Sequence, residues 1–178
     1  MDFSLEKPDI DCDGWCETSA PRDVKYTYIW TIKGFSKRAE LNGAKLSSEA
    51  FTVNIPGKGV SQWRLNVYPM GWTSKEEGYV SVYLKNIDVK DDRVGIKTKF
   101  QISILDVNKK KVNVNGPYEY HVYDKKNPEW GYAKFIKNEA LKLMANQYLP
   151  EDKLTIIYDV FIHVGNEKVD CGPLIQLE

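Results

Sequence analysis

Seven stretches of the chain set large apolar residues at alternate positions, and this period of two constrains the fold more than any other feature. The first, Lys25-Tyr-Thr-Tyr-Ile-Trp-Thr-Ile-Lys33, puts Tyr26, Tyr28, Trp30 and Ile32 on one side and Thr27, Thr31 and Lys33 on the other, as a strand with one buried face requires. The same signal returns in Phe51–Ile55, Trp63–Tyr68, Tyr79–Leu84, Ile96–Leu105, Tyr118–Tyr123 and Leu154–Val164, all rich in β-branched and aromatic residues. Between them stand Pro56–Gly59, Pro69–Gly71, Asp88–Arg93, Asn108–Lys111 and Asn115–Pro117, where Gly, Pro, Asn and Asp supply tight turns. Short strands joined by such turns pair antiparallel and bury one face against a second sheet, so the chain reads as an all-β sandwich. One segment departs from the pattern. Phe135, Ile136, Ala140, Leu141, Met144 and Tyr148 fall near helical spacing ahead of Pro150, which predicts one short helical segment, a single helix or two short turns, covering one end of the sandwich.

The chain's 178 residues suit one domain, with 42% hydrophobic content to build its core. Residues 1–23 are acidic and lack periodicity, and are expected to form an unordered tail; the domain itself spans 24–165, and 166–178 forms an extension or linker. No apolar run is long enough to span a membrane, and the start lacks the basic and apolar regions of a signal peptide, so a nuclear or cytoplasmic location is expected. Twenty-five basic residues balance twenty-five acidic ones, which leaves no long-range field to draw in nucleic acid or an anionic membrane. The runs Lys109–Lys111 and Lys125-Lys126 read as solvated turns. Cys12, Cys16 and Cys171 are odd in number and are expected as reduced thiols. A metal clip on Cys12 and Cys16 needs two more ligands, and His121 and His163 sit far away in strand-like segments, so no metal or cofactor is expected.

Catalysis needs a nucleophile beside a base, paired carboxylates or a phosphate-cradling loop, and none of these patterns occurs. Gly57-Lys-Gly59 is turn chemistry, and His121 and His163 alternate with apolar neighbours as structural or surface residues do. The chain is therefore expected not to be an enzyme.

Six motifs in unbroken order carry a resemblance: Tyr28-Ile-Trp-Thr-Ile-Lys-Gly-Phe35, Trp63-Arg-Leu-Asn-Val-Tyr-Pro-Met-Gly71, Gly78-Tyr-Val-Ser-Val-Tyr-Leu84, Lys99-Phe-Gln-Ile-Ser-Ile-Leu105, Glu129-Trp-Gly-Tyr-Ala-Lys-Phe-Ile136 and Leu149-Pro-Glu-Asp-Lys-Leu-Thr155. From about Val24 to Val164 the chain resembles a MATH domain, closest to those of the MATH-BTB ubiquitin-ligase adaptors. The resemblance implies a TRAF-like antiparallel β-sandwich of about eight strands. It also implies a module that grips short linear Ser/Thr-rich peptides of protein substrates, while a BTB domain absent from this chain docks onto a cullin scaffold for ubiquitin transfer. MATH domains also precede ubiquitin-specific proteases and occur in scaffold proteins, which leaves those parents open. A carbohydrate-binding β-sandwich with exposed Trp and Tyr is the alternative from another class.

Carried over by position, the resemblance implies a peptide groove of Tyr79, Phe100, Tyr120, Glu129, Trp130, Gly131 and Tyr132, with Tyr132 in place of the family's phenylalanine. Pro128-Glu129 replaces a Lys-Asp pair, so a donor is lost and the carboxylate is one methylene longer. Ala133 replaces a lysine, and the Asp124–Asn127 loop is slightly longer than the family's, which keeps Tyr123 as the alternative to Tyr120. Aromatic troughs suit an extended peptide, whose backbone bonds along a strand edge while its side chains enter the trough. Single motifs of this kind bind at roughly micromolar affinity, because ordering the peptide offsets much of the contact energy. Tyr28, Trp30, Phe35 and Trp63 lie in the alternating strands and are assigned to the core; Trp15 and Trp72 have no assigned role.

Overall fold

A computed structural model describes residues 17–38, 41–89 and 95–170, with side chains described for 22–38, 41–89 and 95–165. Ten strands and two short helices follow one another: β1 (Glu17–Lys33), β2 (Leu46–Ser47), β3 (Phe51–Ile55), β4 (Gly59–Tyr68), β5 (Tyr79–Asn86), β6 (Ile96–Leu105), β7 (Lys111–Asn115), β8 (His121–Tyr123), β9 (Glu129–Lys137), α1 (Asn138–Leu143), α2 (Ala145–Tyr148) and β10 (Lys153–Asp170). Packing divides the chain into Asp23–Val164 and a smaller unit of Met1–Arg22 with Gly165–Glu178; the description that follows concerns the larger. Three calls made from sequence need correction in their limits. β1 begins at Glu17, ahead of the strand read over Lys25–Lys33, and β10 runs on to Asp170, past the strand read over Leu154–Val164. Phe135 and Ile136 belong to β9 and not to a helix, which begins only at Asn138. Residues 1–16, with Cys12, Trp15 and Cys16, and residues 171–178, with Cys171, lie outside the described residues.

Two antiparallel sheets form the sandwich. One has the order β1-β10-β6-β7 with β8 also on β6; the other has the order β2-β4-β5-β9 with β3 also on β4. The period of two decides which side chains meet. Val160 stands opposite Phe100 and Tyr158 opposite Ile102, and all four are buried, so this face of β6 and β10 turns inward. On the second sheet Leu65 stands opposite Leu84 and Val67 opposite Val82, and none is more than 1% exposed. Trp63 fills the space between the sheets and meets Tyr123 edge to face, with centroids 4.8 Å apart. Each such side chain contributes roughly 1.5–3 kcal/mol by leaving water. Phe35 and Trp63 are core residues as expected, while Tyr28 and Trp30 pack against the core half-buried. α1 joins the core through Leu141, which is 2% exposed.

Across β6 the outward positions are Lys97, Lys99 and Gln101, alternating with buried Thr98, Phe100 and Ile102. This alternation governs what the site can contain. No helix among the described residues is long and apolar enough to cross a membrane, and no group of three or more His, Cys, Asp or Glu among them could hold a metal ion.

Candidate functional site

Among the described strands β9 is the last of its sheet and pairs only with β5. Asn86 N–H donates to the Pro128 carbonyl at 2.9 Å, and Lys85 stands opposite Glu129, Leu84 opposite Trp130, Tyr83 opposite Gly131 and Val82 opposite Tyr132. Antiparallel strands alternate bonded and non-bonded pairs, so the backbone N–H and C=O of Glu129 and Gly131 point away from β5. Among the described residues no strand pairs with β9 on that side. The same register puts Trp130 and Tyr132 on the face of Leu84 and Val82, toward the other sheet.

There they meet β6 and β8. Tyr132 lies edge-on to Phe100 with centroids 5.4 Å apart, and its hydroxyl donates to the Phe100 carbonyl at 3.4 Å. His121 stacks against Phe100 at 5.4 Å and against Trp130 at 4.3 Å. Trp130 Nε1 donates to the Val122 carbonyl at 2.9 Å, which ties the β9 edge to β8 across the mouth of the sandwich. Exposed Tyr118 closes one side, edge-on to Tyr132 at 6.1 Å. Phe100, Tyr118, Glu119, His121, Gly131 and Tyr132 enclose a cavity of about 200 Å³. A cavity of this size takes one side chain, since roughly 150 Å³ already holds benzene. Burial, with a smaller contribution from Tyr118, pushes the Tyr132 hydroxyl up to about 12, so it remains a donor at neutral pH.

Two glycines make room for this arrangement. Gly116 has φ +82, and a Cβ there would stand 2.3 Å from the Tyr132 hydroxyl and 2.4 Å from the Phe100 carbonyl oxygen. Gly131 would place a Cβ 2.0 Å from the Val82 carbonyl oxygen.

Of the seven residues assigned by position, the structure brings Phe100, Trp130, Gly131 and Tyr132 together. Glu129 adjoins them on the opposite face of the same strand, where its Oε1 accepts from Asn66 Nδ2 at 2.7 Å. Tyr79 stands apart: it pairs with Lys137, three residues along β5 from Val82 and on the other face, with Lys134 Nζ 5.3 Å from its ring centre. Tyr120 also lies elsewhere. Its ring sits under Lys97 and Lys99 on the outward face of β6, and its hydroxyl donates to Asp23 at 2.7 Å. The alternative, Tyr123, is 1% exposed in the core. The place expected for Tyr120 is taken by its neighbour His121, opposite Thr98, because a shift of one residue in a strand moves a side chain to the other face. His121 and Tyr118 were missed from sequence; alternation with apolar neighbours marked the histidine only as a strand residue.

Replacing Tyr120 with phenylalanine removes the bond to Asp23, and is expected to lower unfolding free energy by about 1 kcal/mol while leaving ligand affinity unchanged. Urea unfolding and calorimetric titration check the two halves of this statement; weakened binding in a folded variant would return Tyr120 to the site.

Trp72, to which sequence assigned no role, covers the outer face of the second sheet. It stacks on Tyr68 at 5.8 Å and meets Tyr83 edge-on at 5.0 Å, while remaining 46% exposed. Burial pushes both tyrosine hydroxyls up to about 12, helped at Tyr68 by the charge of Glu129 and at Tyr83 first by that of Glu76.

Comparison with known proteins agrees with this architecture. The solved structure of TRAF5 from Notothenia coriiceps is similar over 84% of this chain and 77% of that chain, with a TM-score of 0.54 and 16% sequence identity, a likeness of fold. A model of the MATH domain matches residues 27–160, more than half of the chain. The chain belongs to the MATH domain family, a family of protein-interaction modules.

Proposed function

We propose that the β9 edge and the cavity beside it hold an extended, Ser/Thr-containing peptide of a protein partner. The observation that carries this reading is the pairing of outward-directed Gly131 backbone groups with a one-side-chain cavity over Phe100. A peptide strand added to β9 gains main-chain hydrogen bonds along the edge, and its alternate side chains turn into the cleft. One enters the cavity against Phe100 and Tyr132. Glu119, His121 and the Tyr132 and Tyr118 hydroxyls supply the polar contacts that suit serine and threonine. On the resemblance to MATH-BTB adaptors, the partner is a client for ubiquitin transfer in the nucleus or cytoplasm, with a BTB domain outside this chain docking to the cullin scaffold. No group in the cleft forms a nucleophile and base pair, which supports a binding role without a reaction.

The experiment is selection of a Ser/Thr-biased random peptide library on the purified chain, followed by calorimetric titration of the enriched peptides. Micromolar binding is expected, weakened at least about tenfold by Tyr132→Ala and unaltered by Tyr79→Ala. Enriched peptides that bind folded Tyr132→Ala with undiminished affinity would place the site elsewhere.

A further inference from the structure

At the opposite end of the strand order, between β1 and β3, the two sheets leave a second opening. Behind it lies a cavity of about 190 Å³. Val53, Trp63 and Leu84 line it from one sheet and Val160 and Ile162 from the other, none more than 6% exposed. Half-buried Tyr28 and Phe51 stand nearer the surface, their rings stacked at 3.9 Å and 14°. Tyr26 Oη donates to the Asn54 carbonyl at 2.5 Å, so β1 and β3 are tied across the opening.

We propose that this cavity binds a small, uncharged, single-ring molecule. Two observations lead there. Its volume of about 190 Å³ is that of a single ring, since roughly 150 Å³ already accepts benzene, and its inner wall of Val53, Trp63, Leu84, Val160 and Ile162 is apolar. Tyrosines are the sole titratable groups in its lining, and an ion entering it would lose its hydration without gaining a partner. The stacked pair and the Tyr26 bond narrow the opening, which favours a free molecule over a side chain anchored to a partner's backbone.

The test is a methyl-resolved NMR titration of the chain with toluene, benzyl alcohol and benzoate. Saturable shifts confined to Val53, Leu84, Val160 and Ile162 are expected with the first two, and at least tenfold weaker binding with benzoate. Val53→Phe fills the space and should abolish the toluene shifts while the Ile102 and Ile104 methyls keep their positions. Should that variant not fold, xenon pressurisation of crystals of the unaltered chain decides, with xenon expected in the cavity. Neither toluene shifts nor xenon, or benzoate binding as tightly as toluene, would overturn the proposal. So would tighter binding of N-acetylphenylalanine methylamide than of toluene, which would point to a partner's side chain. Because Tyr132→Ala leaves this cavity untouched, failure here is separable from failure of the peptide reading.

Discussion

Gly131→Ala is expected to abolish detectable peptide binding and to lower unfolding free energy by roughly 1–3 kcal/mol or more. The added methyl would stand 2.0 Å from the Val82 carbonyl oxygen and 2.6 Å from Tyr83 Cα. Both are backbone atoms of the neighbouring strand, so no side-chain rotation relieves the contact. β9 must move off β5, and the outward Gly131 groups move with it. Trp130 and Tyr132, its neighbours in sequence, lose their placement over His121 and Phe100. Urea unfolding and titration with a selected peptide measure the two effects. A variant as stable as the parent, or one that still binds, would show that the close approach of β9 to β5 is not needed.

The second large effect is expected from Asp159→Asn. Asp159 faces outward on β10, opposite Gln101, yet its side chain is 1% exposed because others cover it. Lys111 Nζ lies 2.6 Å from Oδ2 and Lys25 Nζ 3.3 Å from Oδ1, and Thr27 Oγ1 donates to Oδ1 at 2.6 Å. One carboxylate thus joins β1, β7 and β10. Burial works to raise its pKa, but the hydrogen bonds from Lys111 and Thr27 and the charges of both lysines outweigh it, holding the group below the ordinary 3.8. A carboxyl depressed by folding stabilises the native state fully above its unfolded pKa, and that contribution is lost as pH falls through the lower folded value. Both lysines are substantially exposed, at 39% and 50%, which places the cost of Asp159→Asn at neutral pH nearer 1 than 3 kcal/mol. The gap between parent and variant should narrow as pH drops below about 3.8. Unfolding curves at pH 7 and at acid pH test this; an equal gap at both would show that the charge is not what matters.

The strands that bury one face against the core were legible in the sequence because burial on one side writes a period of two into the residues. Lys25–Lys33, Phe51–Ile55 and Ile96–Leu105 are examples, and all three lie in strands. β7 was not legible: as an edge strand it half-buries Val112 and leaves Val114 46% exposed, so neither face carries a clear apolar stripe. The helix was set too early because Phe135 and Ile136, both buried, continue into Ala140 and Leu141 at a spacing that suits a helix. The register irregularity between β5 and β9 lets two successive residues face inward, which no periodicity rule anticipates.

The cleft shows the same division. Trp130, Gly131 and Tyr132 form a contiguous motif within β9, so alternation along one strand is enough to put Trp130 and Tyr132 on the same face. Tyr120 could not, because it precedes a three-residue strand after a turn-rich stretch, where a slip of one residue exchanges it for His121. Tyr79 lies on the face of β5 away from the cleft for a related geometric reason: it is an odd number of positions from Val82.

The most direct measurement is amide hydrogen exchange of the chain with and without a selected peptide. The account predicts that the Gly131 N–H, directed away from β5, becomes protected on binding, together with shifts at His121 and Tyr132. Protection confined to β1 and β3, or none at Gly131 under saturating peptide, would contradict it.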